Sequence, residues 1–151
     1  MKIEELSIVK KHYAGKVRDL YDLGDNLLIV TSDRISAFDV IFPNLIPNKG
    51  KILNQIATYF FRKTGHIVEN HFISDNIKDY PEDLQQFSKE LEDRSMLVRK
   101  TRVIPFECIV RGYISGSAWK EYTQRGTVGE LLQAQDLKES QRFPEPIFTP
   151  S

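Results

Sequence analysis

The chain has 151 residues, enough for one ordinary domain or for a small domain and part of another, with a core of its own. Lysine plus arginine and aspartate plus glutamate number 21 each, so the zero net charge offers no general attraction to nucleic acid or to an anionic membrane, and any anion site must be local. Its single cysteine, Cys108, excludes an internal disulfide, the histidines His12, His66 and His71 form no metal-binding spacing, and no apolar run nears the roughly 20 residues that span a bilayer.

In chain order, the amino terminus from Met1 to Tyr13 carries acidic residues where a signal peptide needs an apolar core, so a reducing, cytoplasmic setting is expected. From Ser7 to Val30 the text reads as strand, tight turn and strand. Lys16 to Tyr21 alternates charged with apolar residues, Asp22 to Asn26 supplies turn chemistry and Leu27 to Val30 is a β-rich run, which predicts an antiparallel hairpin. Asp33 to Pro47 mixes polar groups with Phe38, Phe42, Pro43 and Pro47, and because proline removes a ladder donor this predicts a structured loop with only short strands.

From about Lys51 to Thr64, Ile52, Leu53, Ile56, Ala57, Phe60 and Phe61 recur at helical spacing, with Asn54, Gln55 and Arg62 facing elsewhere and Gly65 as the stop. Such a helix packs on the sheet through its apolar stripe. Residues 67–73 predict a short strand, and 74–94 a polar connection with a helical turn after Pro81. Residues 96–103 and 106–113 predict two strands broken at Pro105, and helix resumes near Ser117. Arg142 to Ser151 reads as an extended, proline-rich connector.

Three stretches carry chemistry. In Ala14-Gly15-Lys16-Val17-Arg18 the glycine lets the backbone approach a phosphate, and Lys16 and Arg18 supply charge. It lacks the Walker spacing, so an ordinary turn with solvated charges remains open. Ser32 to Asp39 packs two carboxylates, an arginine and two hydroxyls into a loop suited to a polar substrate, or else a self-satisfied loop with Asp33 paired to Arg34. Lys49 and Lys51 add cations near the helix start, or are solvated surface lysines.

In Pro105 to Tyr122 a strand runs into Gly112 and a Gly116-Ser117 turn, and a helix starting there exposes backbone N–H groups to an anion. Arg111 can grip a phosphate or carboxylate in two-pronged fashion, and Ser117 can donate from the same turn. Glu107 and the amides after it can read an adenine edge as a hinge strand does. The bland alternatives are Tyr113 and Trp119 as core aromatics, Cys108 as an inert buried thiol, and Lys120 with Glu121 as an exposed helix pair.

Taken in order, these stretches resemble the SAICAR synthetase family. Gly15 to Tyr21 is similar to its glycine-lysine phosphate loop, Ser32 to Asp39 to its substrate loop and Ile46 to Gly50 to the entry of its first helix. Glu107 to Ser117 with Trp119 to Tyr122 is similar to its most recognisable block, and Pro144 to Ser151 to the opening of a further motif. The resemblance implies an α+β fold. Residues 1–106 would form an antiparallel β-sheet nucleotide-binding lobe, like a kinase small lobe or ATP-grasp, with one packed helix. Residues 107–151 would be a hinge strand and the start of a second α/β lobe.

It also implies ligation of carboxyaminoimidazole ribonucleotide (CAIR) to L-aspartate, driven by ATP and magnesium, with the carboxylate activated as an acyl phosphate before the amine attacks. Such chemistry needs charge stabilisation more than an elaborate acid and base. Carried over by position, Gly15, Lys16, Val17 and Arg18 would face ATP phosphates, and Glu107, Cys108, Ile109, Val110 and Lys120 would stand on the nucleotide side. Arg111 and Ser117 would bind the CAIR phosphate, and Ser36, Ala37 and Asp39 would line the substrate side.

No catalytic acid or base and no metal ligand is assigned. Family members continue past Ser151 into Thr-Lys-Ala-Glu and a second half with magnesium-binding acids, so this chain is expected to be a fragment with little or no turnover. Expected partners are CAIR and L-aspartate, with no nucleic acid and no membrane, and a homo-oligomer is possible. The alternative is a non-catalytic nucleotide-binding module; a kinase is disfavoured because neither an HRD nor a DFG string occurs.

Overall fold

The chain divides into two compact units, Met1–Thr101 and Arg102–Ser151, and the computed structural model describes residues 11–132 and 136–150. The predicted strand start at Ser7 to Lys10 lies outside the described residues.

In the first unit, β1 (Lys11–Ala14), β2 (Arg18–Leu23) and β3 (Asn26–Thr31) form an antiparallel meander. The predicted hairpin thus makes up two of these three strands, β2 and β3. Its turn follows the Leu23↔Asn26 pair and uses Gly24 at φ +81°, a conformation glycine adopts without Cβ strain. A separate hairpin, β4 (Arg34–Ala37) and β5 (Val40–Leu45), occupies the predicted loop. Pro43 is accommodated where that ladder loses register, between Arg34 and Ser36.

The helix α1 (Lys49–Thr64) follows, then β6 (Phe72–Ser74) and a 3-10 turn at Ile77–Asp79. Two short helices, α2 (Glu82–Gln85) and α3 (Ser88–Leu91), lead into β7 (Ser95–Arg99), which completes an antiparallel sheet of order β1-β2-β3-β7-β6. The α2 turn begins after Pro81, as its fixed φ favours. The predicted strand from Met96 stops at Arg99, and residues 100–109 carry no regular strand. Alternation puts Tyr21, Leu28, Val30 and Leu97 on one face, where they bury against Tyr80, Leu84 and Leu91.

The way α1 seats on the sheet corrects the predicted apolar stripe. Its buried residues are Gly50, Asn54 and Thr58, four apart, flanked by partly buried Leu53, Ala57 and Phe61. Ile52, Ile56 and Phe60 are 55%, 49% and 54% exposed. The reason is close approach: a Cβ on Gly50 would lie 2.3 Å from the Thr31 carbonyl oxygen, so only small or backbone-bonding residues fit the seam. Asn54 Nδ2 donates to the carbonyls of Asp93 and Ser95 at 3.1 and 3.0 Å, each such bond contributing about 1 kcal/mol. Gly65 follows the helix with right-handed backbone, φ −59°, so it does not end α1 through a left-handed turn.

The second unit contains β8 (Val110–Tyr113), α4 (Ser117–Arg125), β9 (Thr127–Val128), β10 (Leu131–Leu132) and β11 (Arg142–Phe148). The segment read as a connector is strand: β11 pairs antiparallel with β8, and Phe143 joins Ile114, Ala118 and Val128 in a small core. Phe143, just before the first of its prolines, supplies that anchor. Trp119 packs on this core, whereas Tyr113 is exposed. Gly126 ends α4 at φ +69° with its N–H on the Tyr122 carbonyl at 2.8 Å.

Glu121, expected as half of an exposed pair, instead accepts from Thr127 Oγ1 at 2.8 Å and from the amides of Gly129 and Glu130 at 3.0 and 3.1 Å. Those bonds, the Thr127 one foremost, hold its carboxyl below the usual range. Among the described residues no helix is long and apolar enough to cross a membrane.

Candidate functional site

The turn between β1 and β2 is closed by the Gly15 amide donating to the Arg18 carbonyl at 2.7 Å. A Cβ on Gly15 would lie 2.9 Å from that same oxygen, so the turn demands glycine. Beneath it, the amide and the hydroxyl of Ser32 both donate to the Val17 carbonyl, each at 2.9 Å. Ser32 in turn accepts from Arg34 Nε at 2.9 Å, and Arg34 Nη2 donates to Asp19 at 2.7 Å. Lys16 is thereby left on the outside of an anchored turn, where its ammonium pairs with Asp39.

Arg18 has different surroundings. Its side chain lines a cavity of about 130 Å³ between the sheet and α1, together with Thr31, Met96, Leu53, Phe61 and His71. Desolvation there pushes the His71 pKa below its ordinary value.

The Ser32 to Asp39 stretch divides into an anchored root and a projecting tip. Asp33 does not pair with Arg34, the arrangement a self-satisfied loop would use. It accepts from the Gly50 amide at 2.9 Å and meets Arg94 Nη2 at 3.4 Å, all within a buried seam. Burial pushes the Asp33 carboxyl up, but the Gly50 bond and Arg94 outweigh it, and the net pKa is below the usual carboxylate value. Ser36 and Ala37 lie half-buried on β4, and Phe38 and Asp39 form the two-residue tip. Lys49 Nζ donates to the Arg34 carbonyl at 3.0 Å and Lys51 meets Asp93 at 3.2 Å, so neither lysine is merely solvated.

In the second unit, Arg111 on β8 donates from Nη2 to the Ser117 hydroxyl at 2.9 Å and from Nε to Thr149 Oγ1 at 3.0 Å. Thr149 is buried, and its amide donates to the Ile109 carbonyl at 2.8 Å. Gly116 precedes α4 at φ +58°, and α4 begins at Ser117 without a side-chain cap on its first turn. Gly112 is not a turn glycine; it sits within β8.

Glu107 and Cys108 lie exposed outside any strand, and only Val110 starts β8, so the expected hinge strand is irregular until then. The Cys108 thiol is exposed, which corrects its reading as buried. Lys120 lies exposed on α4.

Sequence reasoning missed Thr149, Arg94 and Asp19. Thr149 was discernible only as a lone hydroxyl within Pro-Ile-Phe-Thr-Pro, while Arg94 and Asp19 are brought to their partners by sheet pairing that local patterns do not encode. Among the described residues no group of three or more His, Cys, Asp or Glu side chains is placed to hold a metal ion.

What the fold and these sites define is an α+β protein built on antiparallel sheets, with basic side chains gathered at a glycine turn and at a helix start. Residues 11–151 match the SAICAR synthetase family model, and the chain belongs to that family. It is 58% identical over 137 residues to a phosphoribosylaminoimidazole-succinocarboxamide synthase of Geotalea uraniireducens, a match covering 91% of this chain and 46% of the relative.

Among solved structures it superposes on a SAICAR synthase with a TM-score of 0.92 at 50% identity, covering all of this chain and 53% of the other. A SAICAR synthase from Saccharomyces cerevisiae in complex with SAICAR gives a TM-score of 0.91 at 48% identity with the same coverage. The chain thus spans about half the length of the relatives it matches.

Proposed function

We propose that this chain supplies the nucleotide-side half of an ATP-dependent ligase that joins CAIR to L-aspartate, giving SAICAR, ADP and phosphate in de novo purine biosynthesis in the cytoplasm. The observation that carries the reading is the Arg111, Ser117 and Thr149 constellation at the start of α4, within a family match that runs through all three residues.

Thr149 and Ser117 hold the Arg111 guanidinium on two sides, which pre-orients it for a dianionic phosphate, and the first-turn amides of α4 add donors at the positive end of the helix dipole. Together with Ser117 these groups bind and orient the CAIR phosphate. In the other unit, Gly15 lets the β1–β2 turn approach a polyphosphate, Lys16 and Arg18 provide its charge partners, and Ser32 keeps the Val17 carbonyl turned away from the anion. Glu107, Cys108, Ile109, Val110 and Lys120 stand on the adenine side, and Ser36, Ala37 and Asp39 on the side of the substrates.

ATP supplies the phosphoryl group that converts the CAIR carboxylate oxygen into a leaving group; the aspartate amine then attacks that carbon, phosphate departs and the nitrogen loses a proton. Charge stabilisation by Lys16, Arg18 and Arg111 is this chain's contribution. No three His, Cys, Asp or Glu side chains of the described residues are placed together to hold a metal ion, and the magnesium that assists phosphoryl transfer would take its ligands from the part of the relatives that this chain does not match.

Phosphate release from ATP in the presence of CAIR and aspartate tests the reading. The 151-residue chain is expected to turn over little or nothing, and turnover comparable to a full-length relative would show the unmatched half to be dispensable.

A further inference from the structure

Lys16 has a partner on the β4–β5 hairpin. Its ammonium pairs with the Asp39 carboxylate, joining the glycine turn to the tip of the β4–β5 hairpin across 23 positions of sequence. Among the described residues the Asp39 carboxylate has no other partner. The hairpin tip is a two-residue turn in which Phe38 and Asp39 take φ of 48° and 65°, left-handed backbone without glycine at either place. The Phe38 side chain is fully exposed, so no packing offsets the strain of that turn.

We propose that Asp39 is an internal competitor for Lys16: its carboxylate occupies the lysine in the free chain, gives way when a polyphosphate binds, and is released toward the substrate side of the site. This rests on the reading of Lys16 as a phosphate-facing residue. One ammonium cannot neutralise a carboxylate and a phosphate together, so the ligand must displace Asp39 to gain the full interaction. The affinity of every ligand that uses Lys16 is then divided by one plus the pairing constant, by the same factor whatever the rest of the ligand contributes.

The two side chains are 53% and 88% exposed, so the pair is weak and screened, and the factor is about two to five at low salt. Coupling is reciprocal: a phosphate that takes Lys16 frees the hairpin tip, and whatever engages Asp39 favours phosphate binding.

The test is calorimetric titration of the 151-residue chain, metal-free and at low ionic strength, with pyrophosphate, ATP and adenosine. Wild type is compared with Asp39→Asn and Lys16→Met. Asparagine tolerates left-handed backbone, so the turn survives the change. Asp39→Asn is expected to bind pyrophosphate and ATP tighter by one common factor of about two to five, to leave adenosine unchanged, and to lose its advantage at high salt.

Unchanged pyrophosphate binding in Asp39→Asn overturns the proposal, and so does weaker binding, which would place Asp39 among the groups that hold the ligand. If Lys16→Met leaves ATP affinity unaltered, it is the reading of the turn that fails. If Lys16→Met weakens ATP while Asp39→Asn does not strengthen it, that reading stands and the competitor role falls.

Discussion

The Gly50 amide donates to the Asp33 carboxylate at 2.9 Å, and Arg94 approaches the other carboxylate oxygen at 3.4 Å. This buried contact ties the end of β3 and the start of β7 to the first turn of α1, whose own N-cap residue, Asn48, makes no side-chain cap bond. Removing the carboxylate with Asp33→Ala leaves Arg94 buried and uncompensated. The expected loss is about 3–5 kcal/mol, read as a lower urea midpoint. A loss under 1 kcal/mol would show the seam to be wetter than its burial indicates.

The same carboxyl makes stability depend on acid. Its folded pKa lies below the ordinary aspartate value because the Gly50 amide and Arg94 outweigh burial, so the folded state binds the proton more weakly than the unfolded state. That contribution is complete above the unfolded value and is lost as pH falls through the folded one. Urea midpoints should therefore decline below about pH 4, and Asp33→Ala should decline less steeply than wild type over that window.

Gly50→Ala tests the close approach of α1. Alanine is ordinarily the better helix former, by about 1 kcal/mol. Here its Cβ would meet the Thr31 carbonyl at 2.3 Å, and the helix must lift off the sheet. The expected result is destabilisation of about 3 kcal/mol or more, and stabilisation would contradict the seam as described.

Glu121 closes α4 onto the β9–β10 corner through three accepted bonds. Glu121→Gln keeps the shape and removes the charge, and should cost about 1 kcal/mol in this partly exposed setting. Faster amide exchange at Gly129 and Glu130 is the local signature.

The antiparallel hairpin at residues 18–31, the helix ending at Thr64 and the helix starting at Ser117 were all legible, because alternation, helical spacing and turn chemistry are local signals. What α1 buries was not legible. Ile52, Ile56 and Phe60 form the stronger apolar pattern, yet close backbone approach selected Gly50, Asn54 and Thr58. β11 was missed for a related reason: prolines argued against a strand, while its pairing with β8 and the burial of Phe143 depend on residues some 30 positions away.

At the candidate sites, Gly15, Lys16, Arg111 and Ser117 could be singled out by residue type and spacing. Their pairings with Ser32, Asp39 and Thr149, which lie outside the stretches that carry them, emerge only from the fold.

The most direct test of the account is a calorimetric titration of this chain with CAIR, comparing wild type with Arg111→Lys. Lysine keeps the charge but loses the planar fork held by Ser117 and Thr149, so CAIR should bind wild type measurably and the variant roughly tenfold more weakly or worse, with ATP affinity unchanged. Absence of CAIR binding to wild type, or equal affinity in the two proteins, would contradict the assignment of the Arg111 site to the CAIR phosphate.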